Sequence, residues 1–466
     1  MYDDTIAAIA TPLGEGALGV VRMSGPMAYE IGKRVFRGTL KDRSAAYGHI
    51  YDPATKEMVD EAMAVCLAAP HTYTREDMIE FTCHGGPLPL QRVLGLLLRE
   101  GARVAEPGEF TMRAFLNGRI DLAQAEAVLD VIQAKTEQGL QIALQDLDGR
   151  LSQEVRSVRA ALLEPLAYLT ALVDFPEDEV GRQDVVGPLE DVATALDKLL
   201  STASQGQVFR QGIRVAIVGR PNAGKSSLLN LLLGHNRAIV AATPGTTRDT
   251  LEEVANIGGV PFVLVDTAGI RSTNDEVEHL GVERSRQNIA TADLVLLVID
   301  TSVPLSGDDF ELAEELSRKR VLVVSNKKDL PDRAFEAAFG IDADALRLVM
   351  ALEAPPGQET EWPCVRLSAL TGDGLDELQQ SMTRLVMGGQ VQTSDALLVA
   401  NPRHAAALTE AARYVESALE GYHAKLPADF LTIDLTSAVR SLGQITGETV
   451  EEDLLNVIFS RFCIGK

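Results

Sequence analysis

The stretch Gly219-Arg220-Pro221-Asn222-Ala223-Gly224-Lys225-Ser226 constrains the fold of this chain more than any other. It fits the phosphate-loop pattern G-x-x-x-x-G-K-[ST], and its flanks supply the required context. Before it runs the β-branched apolar segment from Ile213 to Val218, which reads as a buried strand. After it, Ser227 to Leu233 reads as the first turns of a helix. Glycines let the backbone wrap closely around phosphates, while successive N–H groups and the helix N-terminus supply positive potential. In such a loop Lys225 reaches the β- and γ-phosphates of a nucleotide and the Ser226 hydroxyl ligates Mg²⁺.

The chain around this loop has 466 residues, enough for two or three domains. At 46% hydrophobic and 24% charged residues it reads as an ordinary globular chain. No apolar run is long enough to span a membrane, and the acidic start Met1-Tyr2-Asp3-Asp4 lacks the basic residues of a signal peptide. Cys66, Cys83, Cys364 and Cys463 are scattered with no C-x-x-C pair, which argues against a disulfide framework or zinc site and suits a cytoplasmic location. The formal net charge of −24 disfavours non-specific binding of nucleic acid. An RNA substrate would need a local basic patch or a partner that supplies one.

Residues 1–118 read as α+β. Strands are expected at Thr5–Ala10, Leu18–Met23, Met63–Leu67 and Met78–Thr82, with helices at Pro26–Phe36 and Leu88–Glu100. From Asp121 the pattern changes. Leu140, Leu144, Leu147, Leu151, Val155, Val158, Leu162, Leu166, Leu169 and Val173 step by three and four, which predicts a long helix packed along one face, kinked or interrupted by Pro165. A further helix is expected over Pro188–Gln205. The nucleotide domain follows, and helices resume over Pro402–Ala424, Leu431–Thr446 and Glu448–Phe462. Helices on both sides predict that the α/β nucleotide domain is inserted in a helical domain.

Four further motifs follow the phosphate loop in fixed order. Thr243-Pro244-Gly245-Thr246-Thr247-Arg248-Asp249 reads as a first switch, in which Thr247 completes Mg²⁺ coordination. Asp266-Thr267-Ala268-Gly269 follows an apolar strand; Asp266 would hold Mg²⁺ through water, and the Gly269 N–H would bond the γ-phosphate. Asn326-Lys327-Lys328-Asp329 matches the guanine-reading N-K-x-D motif. Its terminal carboxylate accepts from both the ring N–H and the exocyclic amine of guanine, a donor pair adenine lacks. Ser368-Ala369-Leu370 resembles the last base-contacting loop. The ordered set resembles the Ras-like GTPases and selects GTP over ATP.

Two departures from that pattern bear on hydrolysis. Ras-like switches carry Gln directly after D-T-A-G to orient the attacking water, and here Ile270 stands there. Glu278 is a candidate replacement, acting directly or through a bridging water; spacing alone also suits a charge on a solvated switch helix. The second departure concerns positive charge at the transferring phosphate. Arg248 and Arg271 are near in sequence. Asn222 offers another route, its amide oxygen holding K⁺ together with the Ala241 and Thr243 carbonyls and Thr246, in place of an arginine finger.

The whole chain resembles the bacterial tRNA-modification GTPase MnmE (TrmE) family. The resemblance rests on Ala10-Thr11-Pro12, Gly19 to Gly25, His71 to Asp77, His84-Gly85-Gly86, Pro107-Gly108-Glu109-Phe110-Thr111, Arg113 to Arg119 running into Asp121 to Ala127, the phosphate loop, Pro244 to Asp249, and the terminal Phe462-Cys463-Ile464-Gly465-Lys466. It implies a multidomain α/β and α protein. Residues 1–118 would form an α+β folate-binding and dimerisation domain. Residues 119–210 and 388–466 would form a long-helix bundle, and 211–387 a Ras-like P-loop GTPase domain inserted in it. It implies a homodimer and a heterotetramer with the FAD-dependent partner MnmG. Together the two would place a carboxymethylaminomethyl-type group on carbon 5 of the wobble uridine of certain tRNAs. A reduced folate, 5,10-methylene- or 5-formyl-tetrahydrofolate, would supply the one-carbon unit, and K⁺ and Mg²⁺ would serve GTP hydrolysis.

By position the resemblance puts folate contacts at Arg22, Glu80, Arg119 and Lys466. Arg and Lys suit the anionic glutamate tail of folate, and a carboxylate suits its pterin N–H groups. Arg119 stands where many members have Lys, which keeps the charge but alters the geometry. The resemblance makes Glu278 the water-orienting residue, with Lys225 and Asn222 beside it in catalysis. Around GTP it groups Asn222, Ala223, Gly224, Lys225, Ser226 and Ser227; Ala241, Ala242, Thr243, Pro244, Gly245, Thr246 and Thr247; Asp266, Thr267, Ala268 and Gly269; Asn326, Lys327 and Asp329; and Ser368 with Ala369. Cys463 reads equally as a reactive thiol or as a buried small apolar residue near the folate site. The competing functional reading is a regulatory or ribosome-assembly GTPase switch without one-carbon chemistry. Such a switch has no use for Arg22, Glu80, Arg119 and Lys466.

Overall fold

Alternating apolar residues near the start of the chain pair into a seven-stranded sheet. In the computed structural model the described residues are 3–175, 183–236, 252–266, 287–334, 348–349, 362–388 and 397–466. They fall into two units, one of 1–132, 143–200 and 403–466, the other of 133–142 and 201–402.

In the first unit the strands are β1 (Ile6–Ile9), β2 (Leu18–Ser24), β3 (Phe36–Arg37), β4 (Ala45–Tyr51), β5 (Met58–Leu67), β6 (Met78–His84) and β7 (Arg103–Val104), in the order β3-β4-β5-β6-β2-β1-β7. All pairs are antiparallel except β1 with β7. Helices α1 (Ala28–Val35) and α2 (Pro87–Arg99) cover one face. Val21, Met23, Ile79 and Phe81 from the strands meet Ile31, Val93 and Leu97 from the helices there. At the β1 end of the sheet, Ile6, Ala8 and Met78 pack on Phe110 of α3 (Glu109–Leu116). The expected strand at Met63–Leu67 begins five residues earlier, and β3, β4 and β7 were not legible in the sequence.

Helices α4 (Leu122–Gln133), α5 (Glu137–Leu147), α6 (Arg150–Asp174) and α7 (Val186–Ser201) follow. The expected single long helix is two. The break falls at Gly149, whose φ of 87° is a left-handed conformation that suits glycine. Pro165, expected to kink or interrupt the pattern, lies buried within a continuous α6. The helix expected at 188–205 also divides, at Thr202, into α7 and α8 (Ala203–Gln211).

The second unit is built on β8 (Ile213–Val218), α9 (Lys225–Asn236), β9 (Glu252–Ile257), β10 (Val260–Asp266), β11 (Leu294–Asp300), α10 (Gly307–Glu315), β12 (Val321–Asn326), β13 (Cys364–Arg366) and α11 (Leu375–Met387). Its six-stranded sheet has the order β13-β12-β11-β8-β10-β9 and is parallel except for β9. Every residue of β11 and β12 is buried, as continuous apolar strands of a parallel sheet require. One face packs Val215, Ile217 and Leu296 on Leu228, Leu232 and Leu378. The other packs Val295, Leu297 and Val323 on Ala313, Leu316 and Trp362. Ligand sites in such sheets lie beyond the carboxyl ends of the strands, and motif loops follow β8, β10, β12 and β13 there.

The chain returns to the first unit as α12 (Pro402–His423), α13 (Ala428–Thr446) and α14 (Glu452–Phe459). Helix α6, continuous across Pro165, packs along α13. Among the described residues no helix is long and apolar enough to cross a membrane.

Candidate functional site

The phosphate loop leaves β8 in a backbone shape that side chains would prevent. A Cβ at Gly219 (φ 151°) would fall 2.3 Å from the Val298 carbonyl oxygen of β11. At Gly224 (φ 100°) it would fall 2.1 Å from Asn326 Nδ2. Asn222 itself holds a left-handed φ of 62°, with its side chain exposed at the loop. Lys225, the first residue of α9, folds its Nζ back to donate to the Gly219 and Arg220 carbonyls, each at 2.7 Å. Ser226 and Ser227 are exposed in the first turn of α9, where unpaired N–H groups and the helix dipole favour anions.

Asn326, at the end of β12 and 2% exposed, ties two loops together. Its Nδ2 donates to the Ala223 carbonyl at 2.7 Å, and its Oδ1 accepts from the Ala369 N–H at 3.0 Å. The asparagine that opens the N-K-x-D motif is thus a strut between the phosphate loop and the Ser368-Ala369 loop. Ser368 Oγ donates to Asp329 Oδ1 at 2.6 Å and fixes the direction of the exposed carboxylate. Lys327, at φ 68°, sends its ammonium to Asp300 at the end of β11. Burial pushes the Asp300 carboxyl up, but Lys327 and Ser302 together hold it below the usual carboxylate range. The structure therefore brings Asn222, Ala223, Gly224, Lys225, Ser226, Asn326, Lys327, Asp329, Ser368 and Ala369 to one end of the sheet. Asp266 closes β10. Ala241, Ala242, Thr243, Pro244, Gly245, Thr246, Thr247, Thr267, Ala268, Gly269 and Glu278 lie outside the described residues.

The first unit has a second cluster. Register pairs Arg22 on β2 with Glu80 on β6, so the two side chains share one face of the sheet, with Arg22 Nε 3.3 Å from Glu80 Oε1. That nitrogen is buried and has no hydrogen-bond partner among the described residues, and the guanidinium carbon stands 5.6 Å from the centre of the Phe110 ring. The C-terminal residues fold in beside it. Gly465 (φ 94°) passes so close to β1 that a Cβ would lie 2.5 Å from the Ile9 carbonyl oxygen. Ile464 bridges Pro107, and the Phe110 N–H donates to the Lys466 main-chain oxygen at 3.2 Å. Burial and then the Arg22 charge pull the Lys466 ammonium below the ordinary lysine range, opposed by Cys463 and Glu80. Arg22 and Lys466 thus share the Glu80 carboxylate in one cluster. Arg119 lies over the Tyr73 ring at 4.3 Å, and Tyr73 shares a hydrogen bond with Thr111. Cys463 is exposed.

Sequence reading missed the ionic network beneath this cluster. Arg113, fully buried, reaches Glu109 at 2.9 Å, Asp4 at 2.7 Å and Glu76 at 3.2 Å, and Arg103 reaches Glu109 and Asp4 at 2.7 Å. The spacing Glu109–Arg113, four apart on α3, was the signal available.

A parallel sheet with a glycine loop, a loop lysine and a tethered N-K-x-D strand end defines a P-loop GTPase, an enzyme that hydrolyses GTP. Residues 5–119 match the family of the GTP-binding protein TrmE N-terminus, and residues 122–463 match the MnmE helical domain. The chain is 52% identical to the tRNA modification GTPase MnmE of Roseiflexus sp. and 51% identical to that of Chloroflexus aurantiacus, over the full length of each. It is also similar to the solved structure of an Era variant of Aquifex aeolicus bound to GDP and AlF₄⁻. That match has 31% identity over 43% of this chain and 65% of that one, with a TM-score of 0.27. The chain belongs to the MnmE family of tRNA modification GTPases.

Proposed function

We propose that this protein couples K⁺-stimulated GTP hydrolysis to modification of carbon 5 of the wobble uridine of certain tRNAs, acting with an FAD-dependent MnmG partner. The observation that carries the one-carbon part of the reading is the buried, unsatisfied Arg22 Nε beside Glu80 and Lys466. A buried donor without a partner is costly, and a ligand carboxylate or carbonyl would relieve it. Arg22 and Lys466 would bind the anionic part of a reduced folate, Glu80 would accept from its pterin N–H groups, and Arg119 would flank it. The folate would supply the one-carbon unit. A plain regulatory switch gives no reason for such a cluster. The test of the function is mass analysis of tRNA wobble nucleosides from cells lacking this protein. Loss of the carboxymethylaminomethyl-type nucleoside is expected, and an unchanged nucleoside profile would defeat the reading.

In the GTPase domain, Lys225, oriented by the loop carbonyls, would direct its remaining N–H to the phosphates, and Asp329 with Ser368 would hold the guanine edge. Glu278 would orient the attacking water in place of the glutamine absent at Ile270. Ser226 with Thr247 would hold Mg²⁺. Asn222, with Ala241, Thr243 and Thr246, would hold K⁺, whose charge would offset that developing on the phosphate. Oxygen donors on exposed Ser226 and Asn222 suit hard cations. Turnover should therefore be faster in K⁺ than in Na⁺ at equal ionic strength. Asn222→Ala should remove most of that difference in a steady-state phosphate-release assay, and equal rates for the unaltered protein in the two salts would end the cation reading.

A homodimer through residues 1–118 is supported by exposed apolar side chains on the sheet, among them Tyr47 and Met63, which pair directly across β4 and β5, and Leu18 on β2. Isothermal titration with 5-formyl-tetrahydrofolate tests the cluster. Arg22→Ala and Lys466→Ala should each weaken binding by about ten- to a hundred-fold, as loss of a charge-assisted hydrogen bond at ~1.5–3 kcal/mol implies. Unweakened binding in both would relocate the site.

A further inference from the structure

The second residue of the phosphate loop has partners outside the loop. Arg220 Nε lies 2.9 Å from Asp309 Oδ1, and its Nη1 donates to Ser306 Oγ at 2.9 Å. Both partners belong to the capping box that starts α10. There the Ser306 N–H donates to Asp309 Oδ2 at 3.0 Å, and Asp309 is 1% exposed. Asp309 thus spends one oxygen on the helix cap and the other on the loop arginine. On the main chain, the Arg220 carbonyl accepts from Lys225 Nζ at 2.7 Å, beside the Gly219 carbonyl at the same distance.

The loop is therefore tethered from two sides. Asn326 holds its later half through the Ala223 carbonyl, and Arg220 holds its first half through Asp309. Between the tethers the backbone passes through left-handed geometry at Asn222, closed by a hydrogen bond from the Ala223 N–H to the Arg220 carbonyl at 3.3 Å. A buried carboxylate is expensive unless paired, so Asp309 has a strong preference for keeping its arginine.

We propose that Arg220 is a positioning residue for GTP hydrolysis. Its pairing with Asp309 fixes the first arm of the phosphate loop against α10, so that the Gly219 and Arg220 carbonyls aim the Lys225 ammonium at the transferring phosphate. This rests on the phosphate-loop reading of Lys225. The lysine acts on the phosphates, and Arg220 acts through the lysine. Because binding energy from the remaining loop N–H groups and the guanine site is untouched, loss of the pair reduces turnover more than nucleotide affinity.

The test uses the full chain carrying Arg220→Ala, Arg220→Lys, Asp309→Asn and the double variant Arg220→Ala with Asp309→Asn. Asparagine is itself a good helix cap, so Asp309→Asn removes the charge while leaving the start of α10 capped. Arg220→Ala and Asp309→Asn are each expected to lower kcat about ten-fold, the effect of ~1.4 kcal/mol lost in the transition state, with GDP affinity changed less than about three-fold. The double variant should be no slower than Arg220→Ala, because both changes break one interaction. Arg220→Lys should recover part of the rate, its ammonium reaching Asp309 while losing Ser306. Lys225→Ala is the control. If it leaves nucleotide binding and turnover intact, the loop reading fails and the proposal with it. If it abolishes them while Arg220→Ala leaves kcat within two-fold, the positioning role alone is overturned. That role is equally overturned if kcat falls only in step with the melting temperature, or if the two losses simply multiply.

Discussion

Asp329→Asn should lower the affinity of the protein for GTP by at least about a hundred-fold, while raising its affinity for xanthosine triphosphate. The carboxylate is exposed, follows the end of β12, and is aimed by the Ser368 hydroxyl at 2.6 Å. A guanine edge offers two donors to it, a ring N–H and an exocyclic amine. Each charge-assisted bond contributes ~1.5–3 kcal/mol, so losing both amounts to roughly two to four orders of magnitude. Asparagine loses the charge and points an NH₂ group at guanine donors, which adds repulsion. Xanthine has a carbonyl where guanine has its amine, and that oxygen accepts from the new amide. The substitution still leaves Ser368 an oxygen to donate to, and it leaves the Asn326 strut untouched, so the loop should keep its shape. Competition against a fluorescent GTP analogue measures both effects. GTP affinity within about three-fold of the unaltered protein would place guanine recognition elsewhere.

The phosphate loop, the strand before it and the helix after it were legible because local pattern and tertiary role coincide there. A parallel strand buried on both faces must be apolar throughout, and a loop that lets backbone approach phosphate must have glycine. The N-terminal sheet was harder to read. Strand β3 is two residues long, and β4 carries Gly48, which reads as a break. In the fold Gly48 is instead a close approach: a Cβ there would lie 2.3 Å from the Arg37 carbonyl oxygen. The apolar stripe from Leu140 to Val173 kept its period across Asp148-Gly149, so it hid the end of α5, which the left-handed glycine marks. Pro165 misled in the other direction. Loss of one backbone bond is a local cost, and packing of α6 along α13 outweighs it. The second cluster was legible only through resemblance. Nothing in composition or spacing says that Lys466 comes to rest beside Arg22, because that meeting depends on Gly465 crossing β1 and on Ile464 bridging Pro107.

Arg113→Met should destabilise the first unit severely, by ~3–5 kcal/mol, because it leaves carboxylates buried with too little positive charge. Among the described residues Arg113 is the largest fully buried side chain, and it joins Glu109 on its own helix to Asp4 before β1 and Glu76 before β6. Glu76 in turn accepts from Ser24 Oγ at 2.7 Å, so the network reaches into β2 two residues from Arg22. Methionine fills similar space but answers none of these oxygens. The acid limb of stability should move as well. Burial pushes the Glu109 carboxyl up, yet Arg103, the Glu106 N–H and Arg113 together hold it below its usual range. A carboxyl depressed in the folded state contributes stability that is fully present above its unfolded pKa and is lost as pH falls through the folded pKa. The unaltered protein should therefore begin to weaken only below about pH 4.5, near the ordinary glutamate range. In Arg113→Met the burial penalty faces Arg103 and the Glu106 N–H alone, so the folded-state Glu109 carboxyl rises toward its unfolded value and the acid-dependent stability it contributes shrinks. Urea unfolding of the full chain between about pH 2.5 and 8, followed by limited proteolysis of residues 1–118, measures both effects. A midpoint and acid limb that do not move would mean that Arg103, 2.7 Å from Glu109 and Asp4 alike, neutralises the cluster unaided.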